Sequence, residues 1–108
     1  FRYAVARELS VSRNNVSSLV IGRHSCEMLI LDRYTRVSGV PLEQLVSPSR
    51  IDALKKETRD AGELLLDMAQ RSSAYYAPSA AVAELVAAVI NDLHRILPVS
   101  IVLQGEYG

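Results

Sequence analysis

The sequence predicts an α+β fold in which long helices pack on a twisted, mainly antiparallel sheet. Three observations carry this. Short apolar runs at 16–21 and 28–31 and an alternating run at 34–37 lie among polar residues and glycines, the pattern of strands and turns. From Ser47-Pro48 onward the apolar residues recur with helical rather than strand spacing. A last apolar run at 99–103 follows Pro98 and reads as a further strand.

Taken in order, residues 1–9 read as helix from the first position, with Phe1, Val5 and Leu9 recurring at i, i+4 and i+8. No capping residue precedes them. Residues 12–15 form a polar turn. A strand at 16–21 follows, then a strand at 28–31 that residues 34–37 continue with alternation. Ser38-Gly39 turns the chain, and Val40-Pro41-Leu42 leads into a short segment ending at Val46. Ser47 then serves as an N-cap and Pro48 suits the first helical position. That helix is expected to run to about Arg71. Ile51, Leu54, Ala61, Leu64, Leu65 and Met68 form its apolar stripe, and Lys56, Arg59, Asp60, Glu63 and Asp67 its polar side. Ser72-Ser73 interrupts the pattern, and Pro78 opens another helix. Its face of Val82, Leu85, Val86, Val89, Ile90 and Leu93 is so little diluted by polar residues that burial on two sides is expected. His94 and Arg95 fall in its last turn, where cations suit the helix dipole. Pro98 ends it, and residues 99–103 are expected as a central strand.

The bulk properties narrow the function classes. The 108 residues suffice for one domain or part of one. Hydrophobic residues at 49% and charged residues at 22% are ordinary for a globular chain. Twelve basic and 12 acidic residues cancel. No aromatic-rich basic stripe is present, so no nucleic-acid partner is expected. The longest apolar run, 85–90, falls far short of the roughly 20 residues that cross a bilayer, so no membrane partner is expected. A single cysteine makes no internal disulfide and suits a reducing cytoplasm. Helix from the first residue, and a last turn at Gly105-Glu106-Tyr107-Gly108 with no strand after it, predict a piece of a longer protein.

The chemistry is expected at Val20-Ile21-Gly22-Arg23-His24-Ser25-Cys26-Glu27. An apolar strand meets a glycine and delivers His24 into a loop. Histidine both gives and takes a proton near neutral pH, so a ring at a strand end can act as general acid and base. The plainer alternative is a hydrogen-bonded histidine at the end of a strand. A Cys26–His24 nucleophilic pair lacks an evident third residue to orient it. His24, Cys26 and Glu27 are spaced too tightly for a familiar zinc pattern, so no metal is expected. Neither a GxGxxG turn nor a P-loop is present.

Four blocks stand out along the chain: Ser73-Ala74-Tyr75-Tyr76-Ala77-Pro78-Ser79-Ala80-Ala81; Arg95-Ile96-Leu97-Pro98-Val99 followed by Leu103-Gln104-Gly105-Glu106-Tyr107-Gly108; Phe1-Arg2-Tyr3 through Glu8-Leu9 with Val20-Ile21-Gly22-Arg23-His24; and Thr35-Arg36-Val37-Ser38-Gly39-Val40-Pro41-Leu42. Together they resemble the lactate/malate dehydrogenase family, with the malate branch the more similar. The first is similar to its loop and helix start, the second to its "RVLPV…LxGEYG" segment, the third to its "FRxxIAEEL…VLGEHGD" and the fourth to its "STVAGIPL".

The resemblance implies that residues 1–108 are one domain: a truncated part of a C-terminal, substrate-binding half. A dinucleotide-binding half that holds NAD would lie upstream. It implies an enzyme interconverting malate and oxaloacetate by hydride transfer, with His24 as the proton donor and acceptor. Ala74 aligns with a wall of the substrate pocket. A homo-oligomer, dimer or tetramer, is implied, and the piece by itself is expected to be inactive. A dehydrogenase for lactate or another 2-hydroxy acid, and a non-catalytic homologue or subunit-interface module, are the alternatives. One departure bears on activity. Where the family has Glu-His-Gly-Asp this chain has Arg23-His24-Ser25-Cys26, which makes the loop more positive and removes a conformationally permissive glycine.

Overall fold

A computed structural model describes residues 1–23, 27–69 and 75–106, with side chains described to residue 61 of the second helix and again from residue 75. The chain divides into two compact units, Phe1–Ala74 and Tyr75–Gly108.

In the first unit, helix α1 (Arg2–Glu8) buries Ala4, Val5 and Ala6. Its end is closed by the backbone. Val11 N–H donates to the Ala6 carbonyl at 2.9 Å and Ser10 N–H to the Arg7 carbonyl at 3.3 Å, while Ser10 takes φ +54°. This is a Schellman closure with serine, not glycine, at its left-handed position. A left-handed conformation costs an L-residue roughly 1–2 kcal/mol, and a β-branched residue tolerates it worst. Ser10→Val is therefore expected to destabilise by about that amount and Ser10→Gly to be neutral or better, read as a shift of the urea midpoint.

A turn of 3-10 helix at Arg13–Asn15 follows, with the Ser12 hydroxyl accepting from Asn14 N–H at 3.3 Å. Strands β1 (Val16–Ser17), β2 (Val20–Ile21), β3 (Leu29–Ile30), β4 (Arg36–Val37) and β5 (Val40–Pro41) are each two residues long. They make two antiparallel sheets, one in the order β1-β4-β5 and one of β2 with β3. The β4–β5 turn has positive φ at both Ser38 (+49°) and Gly39 (+88°), as a two-residue hairpin requires. Pro41 lies on the edge strand β5, where a missing donor is tolerated.

The expected strand at 16–21 is two strands in different sheets. Val16 pairs with Val37, whereas Val20 pairs with Ile30. Nor does 34–37 continue 28–31. A 3-10 turn at Asp32–Tyr34 separates them, stabilised because Tyr34 N–H donates to the Leu31 carbonyl at 3.1 Å. The expected alternation still holds beyond it, with Thr35 and Val37 buried and Tyr34 and Arg36 exposed.

Helix α2 (Pro48–Ala69) starts where Ser47-Pro48 predicts. The Ser47 carbonyl accepts from Arg50 and Ile51 N–H, both at 3.0 Å, which places Ser47 at the N-cap position. Ile51 and Leu54 are buried, Ala61 is half-buried, and Lys56, Arg59 and Asp60 are exposed, as the stripe predicts. Leu64, Leu65 and Met68 lie outside the described side chains. The core joins Ala4, Val5 and Ala6 of α1 to Val16, Val37, Leu42, Val46, Ile51 and Leu54.

Charge-reversed ion pairs fasten α1 to α2. Arg7 meets Glu57, and the Arg50 guanidinium grips both Glu8 oxygens at 2.7 and 2.9 Å. The hydrogen bonds from Arg50 hold the Glu8 carboxyl below its ordinary pKa. A carboxyl lowered on folding stabilises above its unfolded pKa, and that stabilisation is lost as pH falls through the folded value.

In the second unit, α3 (Tyr76–Ile90) begins two residues before Pro78. Pro78 stands in the first turn, where its missing N–H has no intrahelical partner to lose. The helix ends at Ile90, short of the 91–97 expected to continue it. Leu93 N–H donates to the Ala88 carbonyl at 3.0 Å and Asp92 N–H to that of Val89 at 3.3 Å, with Asp92 at φ +48°. This is again a Schellman closure. His94 therefore lies beyond the helix, at φ +48° and 3.4 Å from Asp92, and not in its last turn. Arg95 pairs with Glu84.

None of the described α3 residues is buried, contrary to the expectation of burial on two sides. Residues 99–103 are not a strand either. A strand exists only through its ladder, and residues 75–106 hold no strand to pair with.

Candidate active site

The β2–β3 hairpin is the scaffold of the predicted site. Val20 pairs with Ile30 and Ile21 with Leu29, so Gly22 leaves and Met28 rejoins an antiparallel base. Ile30 anchors the base at 3% exposure, whereas Ile21 and Leu29 are exposed. Gly22 takes φ +87° at the exit of β2. A Cβ there would sit 3.6 Å from the Glu27 carbonyl oxygen, an ordinary contact, so the backbone angle and not crowding calls for glycine. Arg23 is exposed beside it.

His24, with Ser25 and Cys26, lies outside the described residues, and so does Ala74. What flanks them is described. After residue 74, Tyr75 and Tyr76 stack with ring centroids 4.4 Å apart and planes inclined at 33°. A hydrogen bond with Tyr76 raises the Tyr75 phenol above its ordinary pKa. Among the described residues no three His, Cys, Asp or Glu side chains are grouped to hold a metal ion, and no helix is long and apolar enough to cross a membrane.

The hairpin is tied to the rest of its unit by residues that the sequence reading did not single out for a role. Leu31 N–H donates to the Leu19 carbonyl at 3.0 Å, extending the ladder by one bond. Asp32 meets Lys55 of α2 at 3.0 Å. Thr35 is the one buried polar residue among the described residues. A threonine at an inward position of an alternating run was the available signal.

The model of the lactate/malate dehydrogenase, alpha/beta C-terminal domain, matches residues 1–108. The malate dehydrogenase of Geobacillus sp. (strain WCH70) is 44% identical over all 108 residues, which cover 35% of that relative. That of Bacillus subtilis (strain 168) is 43% identical, again over the whole chain and 35% of the relative. The chain thus spans about a third of the length of the curated relatives it matches. The structure of malate dehydrogenase from Salinibacter ruber superposes with a TM-score of 0.89 at 42% identity, covering 99% of this chain and 35% of that one. Lactate dehydrogenase from Cryptosporidium parvum superposes nearly as well, with a TM-score of 0.88 at 30% identity over 99% of this chain and 37% of that one. The small antiparallel sheets, the three helices and the matched blocks agree with these folds, so the chain belongs to the lactate/malate dehydrogenase family and has the fold of its C-terminal alpha/beta domain.

Proposed function

We propose that this chain is the greater part of the substrate-binding half of an NAD-dependent malate dehydrogenase, with His24 as its proton donor and acceptor. The observation that carries this is 44% identity to a malate dehydrogenase across the whole chain. The β2–β3 hairpin supports it, because its loop contains His24 in sequence.

The five glycines stand at 22, 39, 62, 105 and 108, so nothing in this chain forms the glycine-rich turn that holds a dinucleotide. NAD is assigned to the upstream half, and when bound it supplies the hydride. The part left to this chain is the proton. His24 in its protonated form hydrogen-bonds the carbonyl oxygen of oxaloacetate and gives up that proton as the alcohol forms. Neutral His24 takes it back from malate in the reverse direction. Ala74, a small residue, leaves room in the pocket wall for a dicarboxylate.

We assign the protein to the cytoplasm, and we propose a homo-oligomer. Val82, Val86, Val89 and Ile90 of α3 are 60%, 47%, 72% and 76% exposed in the single chain, an apolar face that association would cover. The same exposure, with Arg23, Ser25 and Cys26 at the loop, favours a second reading: a non-catalytic homologue whose role is subunit contact.

Two measurements test the proposal. The twenty or so residues encoded upstream of Phe1 should contain Asp-x-x-Arg, the aspartate to orient His24 and the arginine to grip the substrate carboxylate. Their absence favours the non-catalytic reading. Residues 1–108 alone should give a flat NADH fluorescence titration, and saturable micromolar binding would mean that the cofactor site is here.

A further inference from the structure

The two sheets of the first unit are built differently. In β1 and β4 the residues alternate: Val16 and Val37 are buried on one face, while Ser17 and Arg36, paired across the ladder, are exposed on the other. That is the pattern of a sheet with one face on a core and one in water. The β2–β3 hairpin has no polar face. Every position of its ladder, 19–21 on one side and 29–31 on the other, is Leu, Val or Ile. Strands that are apolar at every position belong between two layers.

One layer is accounted for: Ile30 is buried and its ladder partner Val20 is half-buried on the same face. Successive side chains point to opposite faces, so Ile21 and Leu29 lie side by side on the other face, 39% and 52% exposed. Leu19 and Leu31, joined where Leu31 N–H donates to the Leu19 carbonyl at 3.0 Å, continue that face and are half-buried. The four side chains make an aliphatic block two strands wide, open at its Ile21–Leu29 end. A block of this size does not hold two separate molecules together, since a stable interface takes roughly 800 Å² from each partner. A segment of the same polypeptide meets no such threshold, because tethering gives it a local concentration on the order of mM. The chain covers 35% of the Geobacillus malate dehydrogenase it matches, so about two thirds of that relative's length lies outside the match.

We propose that Ile21 and Leu29, with Leu19 and Leu31 behind them, are the docking face for the upstream half of the full-length protein. An apolar surface of that half completes the second layer over the hairpin. The proposal rests on the reading that such a half precedes Phe1. It makes the hairpin a joint, packed on one face inside its own unit and closed on the other by the rest of the polypeptide. The outer face of the β1-β4-β5 sheet, with Ser17 and Arg36, is left to water.

The test puts a diazirine-bearing amino acid in place of Leu29 in the full-length protein, irradiates it and identifies the cross-linked peptides by mass spectrometry. Oxaloacetate turnover is read on the same preparation before irradiation. The expected product keeps the gel mobility of a single chain and joins position 29 to a peptide encoded upstream of Phe1. A product of twice the mass would show a second copy on the face, and cross-links confined to residues 1–108 would show this chain covering it. Capture of solvent alone would show it free. Each of these three overturns the proposal, and turnover by the same preparation would leave the dehydrogenase reading standing. A gene with no upstream half would remove both. Leu29→Gln gives a second readout. With the face covered it should lower the melting temperature of the full-length protein by at least about 2–4 °C, whereas Tyr34→Gln, at an exposed position of the same unit, should leave it nearly unchanged. A wild-type melting temperature in Leu29→Gln contradicts the proposal.

Discussion

Asparagine in place of His24 should lower kcat for oxaloacetate reduction by about 10²–10⁴-fold, the usual contribution of general acid–base catalysis. Asparagine keeps similar size and one hydrogen-bonding edge but cannot shuttle a proton near neutral pH. NADH binding should survive, because the proposal assigns the cofactor to the upstream half. Steady-state kinetics on the full-length protein measures both. An active wild type whose rate is untouched by the substitution would leave His24 as a hydrogen-bonded histidine and no more. An inactive wild type would point instead to the loop. Arg23, Ser25 and Cys26 stand where the family resemblance has Glu, Gly and Asp, and Arg23→Glu with Ser25→Gly and Cys26→Asp should then recover turnover.

The largest effect on stability is expected at Leu54. Its side chain is 0% exposed and belongs to the cluster that joins α1, the β1-β4-β5 sheet and the first turns of α2. Leu54→Ala removes three carbons from the middle of that cluster. The cost is the lost transfer free energy plus that of a cavity the fixed backbones around it cannot close, together about 2–5 kcal/mol. It should appear as a lower denaturant midpoint with an unchanged slope. By contrast Lys56→Ala, on the exposed side of the same helix, should shift the midpoint by no more than about 0.5 kcal/mol. Equal effects at the two positions would mean that the apolar stripe of α2 does not face the core.

The contrast between those positions was legible in the sequence, because helical spacing separates the two faces without knowledge of what they pack against. Ser47-Pro48 marked the start of α2 to the residue for the same reason: capping is local chemistry. The β4–β5 turn was legible too, since Ser38-Gly39 ends the alternating run with a glycine, and Gly39 suits the positive φ found there. What the sequence did not disclose were the features set by distant partners. Val16 and Val20 belong to different sheets because their partners, Val37 and Ile30, lie on opposite sides of the Asp32–Tyr34 turn. The closures at Ser10 and Asp92 were hidden because neither position is a glycine. The apolar run at 99–103 looked like a strand because composition reports burial and β-propensity, whereas a strand needs a partner. His24 stood out as chemistry at a strand end, but its role came from the resemblance of the surrounding blocks and not from spacing.

NADH oxidation by the full-length protein, followed with oxaloacetate and separately with pyruvate, tests the central claim most directly. The account predicts turnover of oxaloacetate with kcat/KM at least about 10²-fold above that for pyruvate, since a site built to bond a second carboxylate rejects an acid without one. Preference for pyruvate would move the protein to the lactate side of the family. Failure to oxidise NADH with either acid, persisting after Arg23→Glu, Ser25→Gly and Cys26→Asp, would contradict the claim that this chain serves a dehydrogenase at all.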